Sequence, residues 1–483
     1  MAPLQPSNPD GRRRRFDLSA ASWVTIQTAY TQVFGVAVFA IQAPLLAPRA
    51  FGLVAIVMVF ITLCEAFLES ATDALISINQ IEPQHYSTIN ALTVLAGGTF
   101  AILLAVAAHP LAMWFNEPQL EPVVRAMAIF PLVAGLGAAP NAATKRAMEF
   151  RPLAIRMISG VTVGGVAGVV LALNGMGVWA LVAQAFLQRS ICVAVLWSSS
   201  PLPFEIRLSL PHWRQMTGFA WPLIVARSLT WASGQLPRFI LALHLSVTEI
   251  GLFSLASRLG DIVVSMTILP RTAVARVELR HSTPASAELN LAVRQLMLKL
   301  SALSFPLSAI GAALLPALIH AWLNPKWYGA IVPGQAMLLS AAAAGTFYAA
   351  GALFLALTQA RSEALVSVLQ VVTIVLVAET FAGHGLTAVT IAMAIRPLLL
   401  IAPIAALVKF RCAVSMRSFL GAQGFPLIAA AAASVPLWLT ERFAETTFGA
   451  IPALLGLGAL GLAVYAALIK VFLHSNARTI LMR

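Results

Sequence analysis

Ionisable side chains set inside long apolar runs are the residues of this sequence best placed to do chemistry. Glu65, Glu69 and Asp73 stand at i, i+4 and i+8 within one such run, a spacing that stacks all three on one face of a helix. Three carboxylates in apolar surroundings cannot all ionise cheaply, so at least one must be neutralised by a proton, a cation or an arginine. Two readings fit: a proton- or cation-coupling site, or an ion-pair network with arginines of neighbouring helices. The arginines exist. Arg189, Arg227, Arg238, Arg258 and Arg396 all fall within other apolar runs, and Arg125 lies just inside one more. A guanidinium presents a planar, permanently charged fork that matches phosphate, so several of them on facing helices would make a cationic cavity for an anionic head group. Plainer uses are also open. Arg125 and Arg238 sit where a side chain can snorkel to the interface, and Arg258 has Asp261 at i+3.

The elements that must position these charges are membrane spans. The chain has 483 residues, of which 59% are hydrophobic and 10% charged, against roughly 25% charged in a soluble domain. The apolar residues come in blocks of about twenty, the length that crosses a hydrocarbon core of about 30 Å as a helix. The ten-residue alternation of a membrane barrel is absent, which leaves helices. The predicted spans are 21–43, 51–75, 87–108, 123–143, 153–174, 177–197, 216–241, 250–270, 293–319, 330–357, 362–381, 385–408, 423–440 and 449–472. The fold class expected is therefore an all-α integral membrane protein of about fourteen transmembrane helices. The net charge of +13 reflects the cytoplasmic bias of Lys and Arg rather than a nucleic-acid partner. With the N-terminus inside, alternate loops carry Lys145, Arg146, Arg151 and Arg156, then Arg207 and Arg214, then Arg271, Arg276 and Arg280, then Arg361, then Lys409, Arg411 and Arg417. The opposite loops carry little beyond Arg49, Lys326 and Arg442. Both termini are expected in the cytoplasm.

Several alternatives are excluded on the same residues. Arg12 to Arg15 before Phe16 imitate a twin-arginine export signal, but the apolar stretch that follows is too long for one and has no clean cleavage site. It reads as a first span behind a basic tail. Cys64, Cys192 and Cys412 make no metal spacing and no disulfide framework, and the histidines form no metal pair. No phosphate-cradling glycine loop or nucleophile elbow is present, so no cofactor, metal or ATP hydrolysis is expected and the chain does not read as an enzyme. Gly160, Gly164 and Gly168 form a small-residue stripe suited to helix packing. Gln27, Thr31 and Gln42 make the first span polar enough to face a cavity, and Trp221, Trp231 and Trp327 are expected to stack sugars or anchor at the interface.

Three landmarks recur along the chain. Phe51-Gly52-Leu53 is echoed by Ile250-Gly251-Leu252, Trp114-Phe115-Asn116 by Trp322-Leu323-Asn324, and Gly177 by Gly385, at offsets of 199 to 208 residues. Each step advances six spans. Six is even, so the two halves share an orientation, as in parallel-repeat transporters. The expected domains are a tail at 1–20, a six-helix lobe at 21–215, a second at 216–410, and an appendage of two C-terminal helices at 411–483.

These residues resemble a known family. Phe51-Gly52-Leu53-Val54-Ala55, Glu69, Ala74-Leu75-Ile76 and His85-Tyr86-Ser87-Thr88 are similar to the polysaccharide flippases of the Wzx type. So are Gly177-Val178-Trp179-Ala180-Leu181-Val182-Ala183-Gln184 and Gly251-Leu252-Phe253-Ser254-Leu255-Ala256. These flippases belong to the multidrug/oligosaccharidyl-lipid/polysaccharide exporter superfamily. The resemblance spans roughly residues 20–410. It implies a cargo of undecaprenyl-diphosphate-linked oligosaccharide, moved across the bacterial inner membrane for exopolysaccharide, capsule or O-antigen assembly. Such a flippase would be driven by a proton or cation gradient or by removal of its product, and glycan polymerase and export machinery are its expected partners. Glu69 matches an acidic position of the family's second helix and Arg258 a basic position of its eighth. Two positions depart. Pro44 stands where relatives have an arginine, and Pro237-Arg238 stand where relatives have an Asp-Asn-like pair. A drug/cation antiporter of the same superfamily is the near alternative, and a membrane glycan polymerase or ligase the alternative from another class.

Overall fold

The computed structural model describes residues 20–77, 81–213, 231, 234–283, 285–448 and 450–480, and among these there is no strand. The long helices are α1 (Ala20–Leu45), α2 (Pro48–Ser77), α3 (Pro83–Trp114), then three short ones, α4 (Leu120–Met127), α5 (Phe130–Leu136) and α6 (Ala138–Arg146). There follow α7 (Phe150–Leu173), α8 (Val178–Ser199), α9 (Val247–Val263), α10 (Leu269–Glu278), α11 (Ala287–Trp322), α12 (Ile331–Ala356), α13 (Ala360–Phe381), α14 (Leu386–Cys412), α15 (Gly424–Phe448) and α16 (Ala450–Ile480). Twelve described spans are long and apolar enough to cross a membrane, and a shorter apolar stretch, Gly456–Val471, lies in α16. The protein is an all-α, multi-pass membrane protein. The seventh predicted span, 216–241, lies partly outside the described residues; its described residues, 231 and 234–241, are helical, and the helix continues to 244.

The predicted span 123–143 is not one helix. Pro131 opens α5 and Pro140 lies in α6, and neither can donate an amide to the turn before it. The span therefore crosses as three short pieces. Many large apolar side chains point outward, with Ile102, Val106 and Phe410 among the most exposed. In water such a surface would be a liability; here it is the lipid-facing coat.

Packing sorts the helices into two sets. In the first, α1 lies on α7, α7 on α8, and α3 on α5 and α2; in the second, α12 gathers α9, α11, α13 and α14. Helices α15 and α16 pair with each other on α11, where the Tyr465 hydroxyl donates to the Ala302 carbonyl at 2.9 Å. The glycine stripe packs as expected: a Cβ on Gly160 would meet Cys192 Sγ at 2.6 Å, and one on Gly164 would meet the Gln184 carbonyl at 2.6 Å. Gln42, expected at a cavity, instead donates to Gln184 Oε1 at 2.6 Å and is buried between α1 and α8.

The repeat is visible in the backbone. Gly177 and Gly385 cap the helices α8 and α14 with φ of +57° and +90°, a region that an L side chain enters only at a cost. The two sets meet where α2 crosses α9. A Cβ on Gly52 would run into the Val247 carbonyl, and one on Gly251 into the Pro48 carbonyl. The two contacts are the same contact shifted by 199 residues, so α2 and α9 cross as a near-symmetric pair. Around them Leu53, Ile56 and Ile61 pack with Ile250, Phe253 and Leu255 in one cluster. Lipid tails are as apolar as these side chains, so close backbone approach and van der Waals contact hold the seam.

Candidate functional site

At one end of the bundle the two sets are clasped by hydrogen bonds to the last turn of α1. Pro44 lies inside α1 and has no N–H, so the Ala40 carbonyl four residues back is left without its helical donor. Trp322 Nε1 donates to it at 2.8 Å. The Ala43 and Pro44 carbonyls belong to the helix end, where no later amide can reach. They accept from Trp327 Nε1 at 2.9 Å and Asn324 Nδ2 at 2.6 Å. Trp327 is fully buried and stacks edge-on against Phe51. It is thus part of a clasp rather than a sugar platform. At the same end Arg49 pairs with Glu117.

Inward from the clasp, a polar cavity of about 400 Å³ opens between α1 and α2 on one side and 234–244 and α9 on the other. Gln32, Thr62, Gln235, Arg238, Arg258 and Asp261 supply its polar groups. Trp231 Nε1 donates to Thr62 Oγ1 at 3.1 Å, across the same divide. Arg258 lies eleven residues beyond Val247, about 16 Å along the helix and so near mid-membrane depth. Its Nη2 donates to the Gly35 carbonyl of α1 at 2.8 Å, and its guanidinium lies 4.8 Å from the Phe39 ring. Arg238 reaches Asp261 at 3.4 Å and Gln235 Oε1 at 3.2 Å. Among the described residues, two arginines against one aspartate make the lining net positive.

Arg258 also lines a second, apolar pocket of about 200 Å³ between α1, α9 and α11, with Phe39, Leu255, Leu318 and Trp322 among its walls. The Arg258 side chain therefore lines both a polar chamber and a greasy one.

The remaining predicted residues go elsewhere. Arg189 and Glu65 form a two-point pair within the first set, Nε to Oε1 at 2.8 Å and Nη2 to Oε2 at 3.3 Å, with Phe130 stacked on the guanidinium at 4.9 Å. Glu69 lies one turn on, exposed, within electrostatic reach of Arg156; Asp73 follows, half-buried. Arg125 pairs with Glu121 at 2.6 Å. Arg396 stands apart between α13 and α14, donating to the Gln370 carbonyl at 3.4 Å and Thr373 Oγ1 at 3.3 Å, beside an apolar groove. Arg227 and Trp221, and the expected lobe boundary at 215–216, lie outside the described residues. Gln32, Gln235 and Asp261 as cavity wall were not singled out by sequence. Their signal, polar residues at helical spacing within a span, is shared with many residues that only cap or pack. Among the described residues no cluster of His, Cys, Asp and Glu has the makings of a metal site.

The fold is shared with known transporters. The chain superposes on the lipid II flippase MurJ in an inward closed conformation with a TM-score of 0.75, covering 94% of this chain and 99% of that one at 11% identity. An inward-facing MATE family multidrug resistance transporter of the MOP superfamily aligns at a TM-score of 0.56, covering 82% and 100% at 14% identity. Both structures share this chain's fold. Residues 41–332, more than half of the chain, match the polysaccharide biosynthesis protein family, and the chain belongs to it. In sequence it is similar to the succinoglycan biosynthesis transport protein ExoT of Rhizobium meliloti (strain 1021), 26% identical over 225 residues. That match spans 46% of this chain and 45% of the relative's length.

Proposed function

We propose that this protein is a flippase for lipid-linked glycans, carrying a polyprenyl-diphosphate oligosaccharide across the bacterial inner membrane. The observation that carries the reading is the placement of Arg258 on the wall between the polar cavity and the apolar pocket. A polyprenyl-diphosphate glycan has the same three parts in the same order. Its diphosphate fits the guanidinium fork, its sugars the amide- and hydroxyl-lined chamber, and its first prenyl units the apolar side, while the rest of the tail stays in lipid. The net positive charge of the chamber suits an anion and disfavours a cationic drug. Family membership and the relation to a succinoglycan transport protein support the same cargo class.

The bias of Lys and Arg supports cytoplasmic termini, which makes the clasped end periplasmic and this conformation closed to the outside. Arg238 joins Arg258 at the diphosphate, and Arg227 and Arg396 remain candidates for later stages of transit. Glu69, Glu65 and Asp73, stacked on one face of α2, are the carboxylates for proton or cation coupling, with Glu65 acting through its pair with Arg189. A glycan polymerase and export machinery would take the product on the far side. The role is transport, not catalysis.

Deletion of the gene followed by extraction and mass analysis of polyprenyl-linked glycans tests this. A diphosphate-linked oligosaccharide should accumulate in the deletion strain, and restoring the wild-type gene should clear it. Unchanged lipid-linked glycans together with sensitivity to cationic drugs would instead mark a drug antiporter.

A further inference from the structure

Away from the central cavity, at the end of the bundle opposite the clasp, α10 and α11 enclose a pocket of about 430 Å³ with a mixed lining. Its charged residues are Arg271, Lys299 and Glu278, and Met266, Pro270 and Leu296 are among its apolar ones. Their depths follow from helix rise. Arg271 is 24 residues on from Val247, and Lys299 is 23 residues back from Trp322; both reference residues sit at the clasped end. At 1.5 Å per residue their Cα atoms lie about 36 and about 35 Å from that end. They share one level, just beyond a hydrocarbon core of about 30 Å, where lipid phosphates lie. Glu278 is two turns farther along than Arg271, about 10 Å deeper into the headgroup and water zone.

The site is also shaped. Residues Val264–Ile268 form a wide π-helical turn, a feature that recurs at functional positions. Arg271 Nη1 donates to the Thr267 carbonyl within that turn at 2.7 Å, which holds the guanidinium in place. Among the described residues neither Lys299 nor Glu278 forms an ion pair, although both line the same pocket. A pure diphosphate site would have no use for the carboxylate. Two cations at the phosphate level and one anion farther out match a headgroup whose phosphate is followed by an ammonium.

We propose that the pocket between α10 and α11 binds a zwitterionic aminophospholipid of the phosphatidylethanolamine type from the leaflet on the basic side of the protein. Arg271 and Lys299 take its phosphate, Glu278 takes its ammonium, and the apolar residues take its glycerol and upper acyl chains. The proposal needs only the membrane reading of the chain and is independent of the cargo.

Native mass spectrometry of the full chain, exchanged into micelles holding equal amounts of phosphatidylethanolamine, phosphatidylglycerol and phosphatidylcholine, tests it. The wild type should retain phosphatidylethanolamine above the other two. Lys299→Gln should weaken all three about tenfold, the loss expected for one charge-assisted contact. Glu278→Gln should weaken phosphatidylethanolamine about tenfold and strengthen phosphatidylglycerol, reversing the order. Both residues are exposed, so neither substitution threatens the fold. Wild-type preference for phosphatidylglycerol, an unchanged lipid order in Glu278→Gln, or displacement of the bound lipid by equimolar polyprenyl diphosphate would each overturn the assignment.

Discussion

The proposed transport reading makes the clasp on α1 a determinant of the closed state, and its weight can be worked from the structure. Trp322, Asn324 and Trp327 each donate one hydrogen bond to a carbonyl that α1 cannot satisfy itself. A typical net contribution is about 0.5–1.5 kcal/mol per bond. Trp322→Phe with Asn324→Ala removes two bonds and leaves buried Trp327 in place, so the closed state should lose about 1–3 kcal/mol. That shifts the closed-to-open ratio roughly 5- to 150-fold. Pro44→Ala should act in the same direction by a subtler route. The new amide competes for the Ala40 carbonyl that Trp322 uses. Spin labels at Met113 and Val332, both exposed at the clasped end, in a variant with Cys64, Cys192 and Cys412 replaced by Ala, would report the separation by pulsed electron resonance. The variants should show a growing long-distance population, larger in the double variant than in Pro44→Ala. Distance distributions identical to the parent would refute the clasp as an energetic element.

Other consequences are separately measurable. Glu65→Ala leaves Arg189 charged and half-buried without its partner, and should cost up to about 3 kcal/mol of stability; Glu65→Ala with Arg189→Met should recover most of it, read by thermal unfolding in detergent. Gly251→Ala places a methyl against the Pro48 carbonyl, and backbone cannot yield as a side chain does. The α2–α9 seam must separate, which should lower the unfolding temperature by several degrees more than Gly456→Ala, a change that meets open space. Gly385→Ala should destabilise by about 1–2 kcal/mol through its positive φ alone, and Gly177→Ala similarly, by the same thermal measurement.

What sequence could reveal depended on the distance over which each feature is specified. Membrane spans are written in contiguous apolar blocks, and α2, α3, α7, α8 and α11–α14 appear where the blocks lie. The repeat was legible because Gly52 and Gly251 answer to a close backbone crossing, which only glycine allows. The broken span at α4–α6 was hidden because its composition is that of any apolar block, and only the positions of Pro131 and Pro140 decide its geometry. The Arg189–Glu65 pair joins residues 124 positions apart. Spacing puts Glu65, Glu69 and Asp73 on one face, but it cannot say which arginine arrives there. In sequence Pro44 is only a departure from the family pattern. Its purpose lies in a carbonyl that it exposes to Trp322, 282 residues away.

The cargo assignment rests most directly on Arg258. Purified protein in vesicles, supplied with a fluorescent polyprenyl-diphosphate oligosaccharide, should move it between leaflets as scored by access of a membrane-impermeant quencher. Arg258→Gln gives up the two charge-assisted bonds its fork can make to the diphosphate, about 3 kcal/mol or more, and the rate should fall by about a hundredfold. Arg258→Lys keeps the charge but not the fork and should fall between. Removing an intramembrane charge also relieves an insertion cost of about 2.5–3.5 kcal/mol, so folding should not suffer. Wild-type flipping by Arg258→Gln, or no movement of the lipid by the wild-type protein, would contradict the account.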